Sequence, residues 1–200
     1  MLKLYYVPKT RAMRPRWLLE ELGVPYELVR MDASKRETHT ESYLHVNPLG
    51  HVPALDDGGT VIVESAAIIM YLADKYPEKG LAPAAGTPER GRWYQWILYA
   101  MATLEPLVGL VSEQGRLAPE ERSEPLANRM KARFVKESAL AEQHLQGREF
   151  ALDRFTAADV VLGSVLGWAR MIGMCDERPH CAAYAKVMLA RPAAKKARED

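Results

Sequence analysis

Little in this chain points to disulfide, metal or nucleic-acid chemistry. Two cysteines, Cys175 and Cys181, occur in 200 residues, too few for a disulfide framework or a zinc cluster. The five histidines are scattered and show no ligand spacing, so no metal is expected. The net charge is +1, with 27 basic residues against 26 acidic ones. No basic stripe accompanies it, which excludes nucleic acid from the expected partners. No stretch of ~20 apolar residues is available to span a bilayer, and Met1-Leu2-Lys3-Leu4-Tyr5-Tyr6 lacks the apolar run of a secretory leader. The expected address is therefore the cytoplasm, off the membrane. What is present is ordinary for a globular protein, with 48% apolar and 26% charged residues. A chain of this length can build one large domain or two small ones, each with a core.

The two halves carry different periodicities. Leu2–Val7 reads as a strand, and from Met13 to Leu22 apolar positions fall at helical spacing. Pro15 suits the first turn of that helix, and Gly23 its stop. A second strand is expected over Tyr26–Met31. The polar segment from Asp32 to His45 reads as an irregular loop with a short helix. A short strand at Ala54-Leu55 follows, then Asp57-Gly58-Gly59 as a hairpin turn. The β-branched run Thr60-Val61-Ile62-Val63 is the next strand, and a helix spans Ala66 to about Lys75. The order is βαβαββα over residues 1–76. A proline-rich linker covers 77–87, and no strand pattern survives after it. Residues 88–200 read as helices: Arg90–Val111, with Pro106 expected to kink or break it, Glu120–Leu145, Val160–Met171 and His180–Ala190. Phe155-Thr156-Ala157-Ala158-Asp159 is a capping box opening a helix so apolar that it belongs mid-domain.

Chemistry concentrates at Asn47-Pro48-Leu49-Gly50-His51-Val52-Pro53-Ala54-Leu55 and at Glu64-Ser65. An X-Pro bond is the only kind for which cis is cheap. A cis Val52-Pro53 turns the chain sharply and leaves the Val52 N–H and C=O open to an extended peptide. Ser65 stands at a helix start, where backbone N–H groups and the dipole favour an anion. Glu64, one residue earlier, can accept from an ammonium. A peptide with a carboxylate and an ammonium at the same end fits; an ordinary turn, strand and capped helix is the plain alternative.

These segments, the strand-helix-strand opening, the linker, the helical second half and Phe-Thr-Ala-Ala-Asp together resemble the cytosolic, bacterial-type glutathione S-transferases over essentially the whole chain. Trp17-Leu18-Leu19-Glu20-Glu21-Leu22-Gly23-Val24-Pro25-Tyr26-Glu27 is similar to the first-helix region of bacterial members. The resemblance implies a thioredoxin-like glutathione-binding domain, an all-α C-terminal domain, a second-substrate site between them and a homodimer. It implies that Val52 holds the cysteinyl part of glutathione by its main chain and that Pro53 is the cis-proline. Glu64 and Ser65 would hold the γ-glutamyl end. His51 stands where a polar residue meets the glycine carboxylate, with His39 a second candidate.

The thiolate's partner is read less directly. Thr10 stands where many bacterial members carry a catalytic serine; capping the helix is its other reading. Tyr5 occupies the register of the tyrosine-type enzymes, with strand filling as the alternative, and it ranks second to Thr10. Arg11 is placed to assist electrostatically. With no cysteine before Cys175, cysteine-type thiol exchange is not expected. Tyr94, Tyr99, Met101, Trp168 and Met171 are the candidates for an apolar electrophile pocket, and core packing is the competing account of each. The expected activity is attack of the glutathione thiolate on small electrophiles, or reduction of peroxides by glutathione. A glutathione-dependent isomerase or dehalogenase, and a non-catalytic binding module, are the alternatives.

Overall fold

Strand β1 (Leu2–Tyr6) alternates between buried Leu2, Leu4 and Tyr6 and half-buried Lys3 and Tyr5, the period-two pattern of a strand with unlike faces. The computed structural model describes residues 1–199. In it β1 lies inside a four-stranded sheet of order β2-β1-β3-β4. Helix α1 (Met13–Leu22) is the crossover to the parallel strand β2 (Tyr26–Arg30), since parallel neighbours need a long return. It ends as expected at Gly23, whose φ of 64° is the left-handed cap and whose N–H donates to Leu19 O at 3.0 Å. The polar segment holds a 3-10 turn, Glu37–His39, and a short α2 (Glu41–Leu44). Strands β3 (Ala54–Asp57) and β4 (Thr60–Val63) form the hairpin, with Gly58 and Gly59 at positive φ in its turn. Helix α3 (Ser65–Lys75) buries Ile68, Ile69 and Leu72 and packs on α1. The observed order is the βαβαββα of a thioredoxin-like domain.

A second unit, Pro83–Ala190, is wholly helical. The helix expected over 90–111 is divided into α4 (Pro88–Leu98), a π-helical stretch Tyr99–Leu104, and α5 (Glu105–Arg116). Pro106 is the cause: it has no N–H to give and its ring crowds the carbonyl four residues back. A widened turn before it absorbs the misfit. The stretch expected as one helix over 120–145 breaks at Ser138 into α6 (Glu124–Glu137) and α7 (Ala139–Leu145). The buried Ser138 hydroxyl donates to Val135 O at 3.3 Å, a local bond that competes with the ladder. Helix α8 (Ala157–Met171) is central, with all but Trp168, Arg170 and Met171 buried. A Cβ on Gly167 would sit 2.5 Å from Leu189 Cδ1 of α9 (Pro179–Ala190), so α8 and α9 pack closely there and a larger residue would make the Leu189 side chain shift.

The sequence ran the helical half to residue 200. Contacts instead group the segment from Arg191 onward with Met1–Ala82. The reason is α10 (Pro192–Lys196), which packs on α1 and buries Ala194.

Candidate functional site

The β3–β4 hairpin brings the two chemically loaded segments side by side. Its register ends with Ala54 paired to Val63, so the chain leaves the ladder at Pro53 on one strand and at Glu64 on the other. The pairing of Tyr5 with Ala54 adds the end of β1 to the same edge. The Val52-Pro53 bond is cis. Among the described residues the Val52 backbone N–H and C=O have no hydrogen-bond partner, which leaves one unit of strand edge open.

Glu64 is the N-cap of α3 at φ 70° and ψ 116°, a conformation that costs a non-glycine residue roughly 1–3 kcal/mol. Its side chain is exposed and has no partner among the described residues. Ser65 is buried and opens α3, whose first N–H groups have no intrahelical acceptor. Arg14, in the first turn of α1 and only 3% exposed, donates from Nη1 to Ser65 Oγ at 3.4 Å. A strained acidic residue, a helix start and a buried guanidinium thus stand beside an open strand edge.

The other end of this edge is held rigidly. The His51 carbonyl accepts from Tyr43 Oη and Asn47 Nδ2, both at 2.7 Å, while the His51 ring is exposed. His39 is exposed too, with Nδ1 2.9 Å from Thr38 Oγ1. Its ring lies against Gly50, where a Cβ would come within 3.3 Å of His39 Nε2 and 3.0 Å of Thr38 O. The φ of Gly50 is 64°, so both conformation and space demand glycine.

Thr10 and Tyr5 differ in how their hydroxyls are engaged. Thr10 Oγ1 donates to Val7 O at 2.7 Å and accepts from Ala12 N at 3.2 Å, so its one proton is committed to the local turn. The Tyr5 hydroxyl has no hydrogen-bond partner among the described residues. Its ring meets Tyr43 edge-on at 5.4 Å and, like Val52, packs against the cluster of Val7, Met31 and Tyr43. Burial, with Tyr5 nearby, pushes the Tyr43 hydroxyl up to about 12. Arg11 is exposed.

Residues 1–74 match the family model described as "Glutathione S-transferase, N-terminal domain", and residues 124–186 that of the C-terminal domain. The glutathione S-transferase GstA of Escherichia coli O157:H7 is 31% identical over 196 residues, 96% of this chain and 94% of that protein. The chain belongs to the glutathione S-transferase family. Among solved structures, a glutathione transferase from Methylococcus capsulatus superposes with a TM-score of 0.85 at 32% identity, covering 99% of this chain and 97% of that one. A sphingomonad glutathione S-transferase, solved in complex with glutathione, superposes with a TM-score of 0.83 at 32% identity, covering 98% and 96%.

The residues offered for the electrophile are spread over the helical unit. Tyr94 is exposed on α4, meeting Trp93 edge-on at 5.3 Å. Tyr99 donates from Oη to Glu137 O at 2.6 Å, and burial raises its pKa. Met101 lies half-buried in the π-helical stretch and Trp168 half-buried on α8, while Met171 is 76% exposed. None of the five lines a 350 Å³ cavity in this unit, whose lining includes Trp96, Leu140, His144, Leu152, Arg92 and Arg148. Among the described residues no cluster of histidine, cysteine or acidic side chains could hold a metal, and no helix is long and apolar enough to cross a membrane.

Arg14, Tyr43 and Asn47 were not singled out from the sequence. Asn47 sat in the loaded stretch without an assigned role, and its side chain proves to brace both Leu49 N and His51 O. Nothing in the sequence sets Arg14 apart from the other cations of α1; its burial and its bond to Ser65 do. Nothing in the pattern around Tyr43 announces a bond across eight residues.

Proposed function

We propose that this chain binds glutathione along the Val52 edge and catalyses attack of its thiolate on small apolar electrophiles. The observation that carries the reading is the open Val52 backbone set beside the strained Glu64 and the start of α3. In this reading the cysteinyl backbone of glutathione pairs with Val52, the γ-glutamyl ammonium meets Glu64, and its carboxylate meets the N-terminus of α3. His51 and His39 supply donors for the glycine carboxylate.

A free thiol titrates near ~8.5, so little thiolate exists at neutral pH. A hydroxyl donor at the sulfur favours the charged form, each unit of lowering corresponding to about 1.4 kcal/mol. Tyr5 can donate without giving up an existing bond, whereas Thr10 must first release Val7 O, at a cost of about 1 kcal/mol. The reading therefore ranks Tyr5 ahead of Thr10, with the N-terminal end of α1 adding a favourable dipole and Arg11 a nearby charge. The sulfur lone pair then forms the C–S bond as the leaving group departs with its electron pair, and the thiol proton passes to solvent. The apolar and aromatic candidates Tyr94, Tyr99, Met101, Trp168 and Met171 suit an apolar acceptor. By likeness to its relatives, the working form is a cytoplasmic homodimer.

The test is retention on immobilised glutathione together with conjugation of 1-chloro-2,4-dinitrobenzene. Retention with measurable conjugation is expected. A folded protein that passes through the column unretained would overturn the reading.

A further inference from the structure

The last residues of the chain are tied to α1 by contacts more specific than those of a trailing terminus. Arg191 donates from Nε to Glu21 Oε1 at 2.7 Å and from Nη2 to Glu21 Oε2 at 2.9 Å, a bidentate fork. Glu21 Oε1 also accepts from Trp17 Nε1 at 2.9 Å. One residue earlier, Glu20 accepts from Tyr26 Oη and pairs with Lys196 Nζ, both at 2.6 Å. Further along, Arg16 Nη2 donates to Glu199 O at 3.1 Å, and its guanidinium lies 4.9 Å from the Tyr6 ring centroid. Tyr6 itself donates to Ala197 O at 3.4 Å.

These anchors bracket the β1–α1 connection. Tyr6 is the last residue of β1 and is fully buried, while Arg16 is in the first half of α1. Between them lies the loop that carries Thr10, and Tyr5 is the residue just before Tyr6. The same helix carries Arg14, which reaches Ser65 at the start of α3. The γ-glutamyl end is presented by Glu64 and the start of α3, which none of the C-terminal anchors touches, so a small rotation or slide of α1 would disturb chiefly the thiol end of the site. Side chains held by packing and supporting hydrogen bonds are what keep such a constellation within tolerance.

We propose that the C-terminal segment from Arg191 to Glu199 is a clamp that positions α1 for glutathione ionisation, with Arg191 its principal positioning residue. The clamp rests on the glutathione transferase reading, and it makes the chain's end a working part of the glutathione-binding unit. Arg191 touches neither glutathione nor the reacting atoms; it acts through Glu21 and the helix that Glu21 anchors.

The experiment compares full-length wild type with Arg191→Met, Glu21→Gln and the swapped pair Arg191→Glu with Glu21→Arg. Retention of wild type on glutathione and its conjugation rate are measured first, because their failure sinks the functional reading and leaves the clamp without a reaction to serve. Given that activity, Arg191→Met is expected to raise the apparent pKa in the pH profile of kcat/KM by about one unit, a tenfold loss of thiolate at neutral pH. Binding of S-methylglutathione, which has no thiol to ionise, should stay within about twofold, since a tenfold change would take about 1.4 kcal/mol. The swapped pair should recover most of the profile. Two results overturn the proposal: an unmoved pH profile in Arg191→Met, or equal losses of rate and S-methylglutathione affinity that the swapped pair does not restore. If Arg191→Met proves unstable, Glu21→Gln supplies the same readout with a smaller change of shape.

Discussion

Glu64 and Asp159 are both acidic residues at the start of a helix, and they are built to opposite ends. Asp159 is fully buried. Its Oδ1 accepts from Ala151 N at 2.7 Å and Tyr184 Oη at 2.8 Å, and its Oδ2 from Thr156 N at 2.7 Å and Thr156 Oγ1 at 3.1 Å. Glu64 is exposed, sits at φ 70° and engages no described residue. One carboxylate is fully satisfied by its own fold and stabilises it. The other is held in a costly backbone conformation with its side chain exposed, which is the arrangement that the proposed ligand contact would use. The contrast separates folding chemistry from binding chemistry within one chain.

The largest break in that comparison is Asp159→Ala. It strands buried donors at Ala151, Thr156 and Tyr184, each worth about 1–3 kcal/mol when left unsatisfied. A loss of roughly 3–5 kcal/mol in urea unfolding is expected, while the protein that remains folded keeps its KM for glutathione. A matched loss of glutathione affinity in the folded fraction would place Asp159 in the site.

Next in size is the choice of sulfur partner. Tyr5→Phe should lower kcat/KM by roughly 10–100-fold, the range of one well-placed donor, and raise the pKa governing it. Thr10→Val should cost about 1 kcal/mol of stability through the lost turn bonds and leave the chemical step less affected. The reverse ranking in rate would show that Thr10 exchanges Val7 O for the thiol.

Glu64 itself gives a smaller and more diagnostic effect. Glu64→Ala and Glu64→Gly both remove the carboxylate, so both should weaken retention on glutathione. Only glycine adopts φ 70° freely, so Glu64→Gly should be the more stable of the two by about 1 kcal/mol. Equal melting temperatures would mean that the positive φ carries no strain.

The same division explains what the sequence made legible. Periodicity and punctuation carry the architecture: Gly23 stops α1, Thr60–Val63 is a strand, and Thr156 with Asp159 opens α8. The residues proposed to hold the peptide could be picked out early because a Val-Pro step and a Glu-Ser helix start are local signals. Arg14, Tyr43 and the α10 clamp were not, because each depends on which residues tertiary packing buries or brings together. The break before Pro106 was half legible, since a proline announces a disruption but not that a π-helical stretch absorbs it, whereas the break at Ser138 was not anticipated. The engagement of Thr10 by Val7 could not be read at all; a hydroxyl before a helix serves as cap or as ligand donor with the same letter.

The two cysteines offer the smallest effect, and it tests the folding side of the comparison. Cys175 and Cys181 lie buried in the helical unit. Burial pushes the Cys175 thiol up to about 11, and burial together with Glu142 drives Cys181 higher still. Neither is therefore a nucleophile near neutrality, and a thiol reagent at pH 7.5 should label the native protein far more slowly than the urea-unfolded chain. Because the folded pKa lies above the unfolded one, the unfolded state gives up its proton first as pH rises. Stability should thus be intact below about pH 8.5, the ordinary thiol range, and decline toward the folded value of about 11 for Cys175. Cys175→Ala should flatten that alkaline decline in melting temperature without changing conjugation at pH 7. Fast labelling of the native protein, or an unchanged alkaline slope in Cys175→Ala, would show that the helical unit opens to solvent far more readily than its packing allows.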